Sequence, residues 1–166
     1  AIDYYVIEPV ESKEMYDIIR ELFPGVKDQQ SITSNLNTLP SDLSILLVED
    51  NIINQKVAQS IFKNIGYEID LASNGAEAIQ KTSDNEYDII FMDLFMPEVD
   101  GFEATQQIRK NGIQTPIIAM SADTGDQRKA DSVLAGMDEY LSKPAKVETV
   151  KQLLIKMFST RVMQNI

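Results

Sequence analysis

Cysteine, histidine and tryptophan are all absent from the 166 residues. Without cysteine there can be no disulfide framework and no thiolate metal site. Without histidine, any step that needs an imidazole must draw it from a partner. Positive charge is also scarce: 15 Lys and Arg stand against 26 Asp and Glu, for a formal net charge of -11. That balance argues against nonspecific binding to nucleic acid or to anionic membranes, which attract cations. Neither nucleic acid nor direct membrane contact is expected. No apolar run approaches the roughly 20 residues a helix needs to span a bilayer. Ala1 onward lacks the basic start and apolar stretch of a secretion signal. The expected location is the cytoplasm, including as part of a larger membrane-anchored protein. Apolar residues make up 43% of the chain, enough for a real core, and the surplus acids suit a bound cation.

The most informative stretch is Ile89-Ile90-Phe91-Met92-Asp93, followed closely by Pro97. A short unalternating apolar run reads as a strand buried on both faces. A carboxylate at its end is not needed for the core, and a buried charge is costly unless paired or bound to a metal. Asp93 therefore belongs at the mouth of a sheet, as a nucleophile for a phosphoryl group.

From Leu43 the chain alternates strand-like and helix-like segments. The strands are Ser44–Val48, Glu68–Ala72, Asp88–Met92, Pro116–Met120 and Glu139–Ser142. The first helix follows Glu49-Asp50-Asn51, with Asp50 or Asn51 as cap, Val57, Ile61 and Ile65 inward, and Gly66 as its stop. The others run from Gly75 through Thr82, from Gly101 to Lys110, from Asp126 to Ala135 and from Lys146 to Phe158. Five strand–helix units predict an α/β protein with a parallel sheet. Right-handed crossovers leave few windings, of which the common one is flavodoxin-like (βα)5, doubly wound, with strand order 2-1-3-4-5. That order sets Glu49 and Asp50 beside Asp93.

Three crowded carboxylates repel one another, and a hard divalent cation with oxygen ligands relieves this. Asp50 and Asp93 are candidate Mg²⁺ ligands, with Glu49 holding a bound water. Ser121 after the fourth strand and Lys143 after the fifth fall at the same rim. A hydroxyl and an ammonium there suit two oxygens of a transferring phosphoryl group. Taken singly, the acids could simply cap the first helix, Ser121 could be a turn residue and Lys143 a solvated lysine. Convergence at one rim favours a site. Pro144 after Lys143 raises the prospect of a cis peptide.

The motifs Leu47-Val48-Glu49-Asp50-Asn51, Asp93 to Pro97 with Gly101, Ser121-Ala122 and Lys143-Pro144 stand in the order found in the receiver domains of two-component response regulators. Residues 43 to about 158 resemble that family. The resemblance implies Mg²⁺-dependent phosphorylation of Asp93 by a phosphohistidine on a histidine kinase or histidine phosphotransfer domain. It also implies that the backbone carbonyl of Phe95 completes the metal set, and that Ser121 and Tyr140 form a switch pair. The Glu49-Asp50-Asn51 start, with Asn54 and Gln55, is similar to receivers of hybrid sensor kinases and phosphorelays. Such a receiver is a phosphoacceptor without external turnover, so enzyme status would belong to a parent kinase chain. The end of the chain near Ile166, with no effector domain, agrees with a signalling intermediate or an excised fragment. Phe95 and Asp123 depart from the commonest pattern and flank the path of a hydrolytic water, so they are expected to tune the lifetime of the phosphorylated state.

Two other functions compete. A haloacid-dehalogenase-type phosphatase also uses an aspartyl nucleophile with Mg²⁺, but it needs a second acid two residues on, where Phe95 stands. An inert receiver-like binding module would not need Asp50, Asp93 and Lys143 intact. A flavodoxin-like nucleotide binder would need a glycine-rich phosphate loop, and none follows the first strand.

The N-terminus carries a weak repeat. Asp3–Val10 overlays Asp138–Ala145, with Tyr5 on Tyr140, Pro9 on Pro144 and Phe23 on Phe158. Residues 1–23 then read as the last strand and helix of a preceding, degenerate receiver, with Glu8 where a lysine belongs. Residues 24–42 read as a linker, 43–160 as the receiver and 161–166 as a tail. Ile18, Ile19, Leu22 and Phe23 of the remnant would seek a partner, either the main domain or a second chain as in a homodimer, or fray.

Overall fold

The apolar run Ile89–Met92 forms most of the middle strand of a five-stranded sheet. The structure is a computed structural model that describes residues 39–162, with side chains through residue 158. The strands are β1 (Ile45–Val48), β2 (Asp70–Ala72), β3 (Ile89–Asp93), β4 (Ile117–Ser121) and β5 (Glu139–Ser142). Each is followed by a helix: α1 (Ile52–Ile65), α2 (Gly75–Asp84), α3 (Gly101–Lys110), α4 (Asp126–Ala135) and α5 (Val147–Val162). The spatial order is β2-β1-β3-β4-β5 and every pairing is parallel, as the flavodoxin-like expectation requires. The proposed remnant 1–23, linker residues 24–38 and tail residues 163–166 lie outside the described residues, and so do the expectations about docking of the remnant.

Strand burial explains the sequence pattern. β1 and β3 have a neighbour on each side and helices over both faces, so all their residues are buried. Leu46, Val48, Ile90 and Met92 pack on one face with Ala78 of α2 and with Ala104 and Ile108 of α3. Ile45, Leu47, Ile89 and Phe91 pack on the other with Phe62 of α1 and with Val150, Leu154 and Phe158 of α5. Each fully buried aliphatic or aromatic side chain contributes about 1.5–3 kcal/mol, so these two layers carry the fold. The edge strand β2 is shorter than Glu68–Ala72, because only Asp70, Leu71 and Ala72 pair with β1.

α1 needs one correction. Val57 is 54% exposed, not inward. The buried positions are Gln55 and Phe62, with Ala58, Ile61 and Ile65 packed beside them. At 3.6 residues per turn, 55, 58 and 62 share a stripe that Val57 misses. Asn51 is the cap: its side chain accepts from the Ile53 N–H at 2.9 Å and the Asn54 N–H at 3.2 Å. Gly66 ends the helix with φ of 108°, a left-handed conformation that glycine adopts without strain. Among the described residues, no helix is long and apolar enough to cross a membrane.

Candidate functional site

Register brings the site together. Val48 of β1 pairs with Met92, so Glu49 leaves the sheet beside Asp93. Asp93 pairs with Met120, which places Ser121 one step beyond it. Ser121 pairs with Ser142, which places Lys143 one step further along the rim. The Lys143 N–H donates to the Ser121 carbonyl at 2.8 Å and fixes that step. The loop after β3 turns sharply at Glu98, whose φ is 67°, and returns α3 against the strand end. Gly101 makes this possible: a Cβ there would meet the Asp93 carbonyl oxygen at 2.2 Å.

Asp93 is 6% exposed. One of its oxygens faces Lys143 Nζ at 2.9 Å, and the other accepts from the Phe95 N–H at 3.2 Å. The same ammonium lies 2.5 Å from Glu49 Oε2. Lys143 thus bridges two buried carboxylates, and its peptide bond to Pro144 is cis. Burial, and the Glu49 charge after it, push the Asp93 carboxyl above the usual aspartate range. Lys143 and the Phe95 N–H oppose this without cancelling it. Burial works to lower the Lys143 ammonium, but its contacts with Glu49 and Asp93 outweigh that and hold it above the ordinary lysine value.

Asp50 is exposed and completes an acidic cluster. Glu49, Asp50 and Asp93 each offer an oxygen, all within 4.8 Å of one another. One ammonium offsets only part of three negative charges. An all-oxygen set of this size and charge fits Mg²⁺, which favours carboxylates and water over nitrogen or sulfur.

Ser121 is 1% exposed and its hydroxyl accepts from the Asp123 N–H at 3.0 Å. The Tyr140 hydroxyl donates to the Asp123 carbonyl. The peptide groups of one residue therefore join Ser121 to Tyr140. The Tyr140 ring is half-buried, with Lys129 Nζ 6.0 Å above its centroid. Phe95 is 50% exposed, and the Arg128 guanidinium lies 5.1 Å over its ring. Arg128 also pairs with Asp123 at 3.4 Å, so both unusual rim residues are tied to one arginine. Reading the sequence missed Arg128, since a surface arginine at a helix start looks like any solvated one.

Two cavities differ in character. A groove of about 310 Å³ runs from Lys143 and Pro144 along Val57, Ala58 and Ile61 of α1, and is mostly apolar. A polar cavity of about 490 Å³ opens at the other end of the strands, around Tyr87, Asp88 and Thr115. It holds none of the rim acids, so the acidic cluster lies away from it.

Comparison with known proteins now decides the family. The response regulator receiver domain profile matches residues 45–155. This chain belongs to the receiver-domain family. Among curated relatives, hybrid signal transduction histidine kinase B of Dictyostelium discoideum is 40% identical over 125 residues, covering 68% of this chain and 6% of that protein. Among solved structures, the receiver domain of sensor histidine kinase PA1611 from Pseudomonas aeruginosa PAO1, with a magnesium ion in its active site cleft, is 37% identical with a TM-score of 0.65. That match covers 69% of this chain and 96% of that one. The receiver domain of Saccharomyces cerevisiae Ssk1, crystallised with the histidine phosphotransfer protein Ypd1, belongs to a match at 30% identity and a TM-score of 0.68, covering 75% and 93%. The chain spans less than a fifth of the length of the curated relatives it matches. As a receiver of two-component signalling, it offers the acidic rim, the lysine and the hydroxyl in one place. The phosphatase reading finds no support: Phe95, with its ring against Arg128, stands where the second acid would be.

Proposed function

We propose that this receiver accepts a phosphoryl group on Asp93 from the phosphohistidine of a partner histidine kinase or histidine phosphotransfer domain. The observation that carries this reading is Lys143 Nζ held 2.9 Å from Asp93 in a rim of three acids, of which Glu49 and Asp93 are buried. An Asp93 carboxylate oxygen attacks phosphorus. The P–N bond to the partner's imidazole breaks, and its electron pair returns to that ring, which takes up a proton. Asp50, Asp93 and the Phe95 carbonyl would hold Mg²⁺, with Glu49 acting through water, and the bound ion would supply charge neutralisation for the phosphoryl oxygens. Lys143 moves from the carboxylates to one phosphoryl oxygen. The Ser121 hydroxyl turns to another, which releases the Asp123 N–H and alters the support of Tyr140. In this reading, residues 43–160 are the receiver and 1–23 the end of a preceding degenerate one.

The donor is expected on the α1 side. Ile52, Ile53 and Val57 are 64%, 68% and 54% exposed, an unusual apolar cluster on a soluble helix face. Of the three, Val57 lines the apolar groove that ends at Lys143. A helical donor seated there would carry its histidine to the rim.

Intact-mass measurement after incubation with acetyl phosphate and Mg²⁺ tests the proposal. The expected result is one added phosphoryl group on the wild type and none on Asp93→Asn. Equal labelling of both proteins, or no labelling of the wild type, would overturn it.

A further inference from the structure

Glu49 is the most restrained acid of the rim, and side chains of α1 do much of the restraining. It is 2% exposed. Its Oε2 faces Lys143. Its Oε1 accepts from Asn54 Nδ2 at 3.0 Å and from the Asn51 N–H at 3.3 Å. The backbone is fixed on both sides as well. The Glu49 N–H donates to the Ala72 carbonyl at 3.0 Å, and the Glu49 carbonyl accepts from Gln55 Nε2 at 2.7 Å. Gln55 also reaches Ser73 Oγ at 3.3 Å, which ties the end of β1 to the end of β2.

Helix geometry explains the reach. Asn51 is the cap, so Asn54 is the third helical residue, and side chains there fold back toward residues ahead of the helix. An amide brings a donor without a charge. Two donors on Oε1 fix the rotation of the carboxylate and leave Oε2 facing Lys143 and the other acids. An aspartate or glutamate at 54 could not do this, since an ionised carboxylate only accepts.

We propose that Asn54 is a positioning residue for the magnesium site: its amide orients Glu49 and so sets the affinity for the ion, without touching the phosphoryl group. This rests on the reading of the rim as a magnesium site. Gln55 supports the same acid from its backbone side.

Mg²⁺ binding measured by calorimetry on the wild type, Asn54→Ala, Asn54→Asp and the control Lys56→Ala tests this. Asn54 and Lys56 are both exposed, and thermal midpoints report whether the variants fold. Outer-shell partners typically change metal affinity by about 10–100-fold, so Asn54→Ala is expected to raise Kd about tenfold. Asn54→Asp, the same shape without the donor, is also expected to bind more weakly, and Lys56→Ala to match the wild type. With acetyl phosphate, the Mg²⁺ concentration for half-maximal labelling shifts for both Asn54 variants, while the rate at saturating Mg²⁺ does not. Wild-type affinity in Asn54→Ala would overturn the proposal. So would tighter binding by Asn54→Asp, because charge count alone would then govern the site. A loss of the saturated rate would make Asn54 part of the chemistry and equally overturn it. A wild type that binds no Mg²⁺ would defeat the functional reading first.

Discussion

A single phenol shows how one residue's surroundings become a measurable quantity. The Tyr87 hydroxyl donates to Asp70 at 2.9 Å, joining the chain ahead of β3 to the edge strand β2. Burial, then the hydrogen bond and charge of Asp70, push this phenol up to about 12 from 10.0. The folded protein thus holds the proton more tightly than the unfolded chain. The contribution to stability is complete below about pH 10 and is lost as pH climbs from there to about 12. Urea unfolding across that alkaline range should show the wild type losing its advantage over Tyr87→Phe. An advantage that stays constant would contradict the linkage. At this scale, reading the sequence located Asp93 and Lys143 because each ends or follows a strand. It marked Asn54 only through the family resemblance and could not locate Arg128, the Asn54–Glu49 bond or the Tyr87–Asp70 bond, since those depend on how a side chain reaches across a turn or a sheet edge.

Between elements, the clearest joint is Arg109. From α3 it donates to the carbonyls of Gly136, Ile113 and Thr115 at 3.0, 2.8 and 2.9 Å, and pairs with Asp138 at 2.9 Å. Asp138 in turn accepts from the Ile117 N–H at 2.8 Å. One side chain therefore ties α3, the end of α4 and the starts of β4 and β5. Replacement by methionine keeps the stem but strips four acceptors of their donor, and each buried acceptor left unpaired costs about 1–3 kcal/mol. Because Asp138 stays half exposed and water can reach part of the joint, Arg109→Met should lower unfolding free energy by roughly 2–4 kcal/mol in urea titrations. A change below about 0.5 kcal/mol, the scale of an ordinary surface substitution, would show that the joint carries little. The elements themselves were legible from Asn51 and Gly66 as cap and stop, and from the unbroken apolar strands. Val57 was misassigned because several apolar residues on α1 face solvent, so hydrophobicity alone pointed to the wrong stripe.

Across the whole molecule, nothing local joins Glu49, Asp93, Ser121 and Lys143. Their meeting follows from the winding order, which the count of five strand–helix units made legible. The proposed partner surface was less so, because exposed Ile52, Ile53 and Val57 look like core residues in sequence. If this face seats the donor, Val57→Asp should slow transfer from a phosphorylated histidine phosphotransfer domain by about tenfold or more, the size of a contact worth about 1.4 kcal/mol. Labelling by acetyl phosphate, which needs no docking, should stay within about twofold. Equal slowing of both reactions would place the defect in the rim rather than on the helix face.

The most direct measurement is to locate the phosphoryl group itself. Acyl phosphates are reduced by borohydride to the corresponding alcohol, so labelled protein can be reduced, digested and mapped. Homoserine at position 93, and at no other acid, is the expected result. A reduced residue at Glu49 or Asp50, or none at all in protein that has gained phosphate, would contradict the assignment of Asp93 as the acceptor.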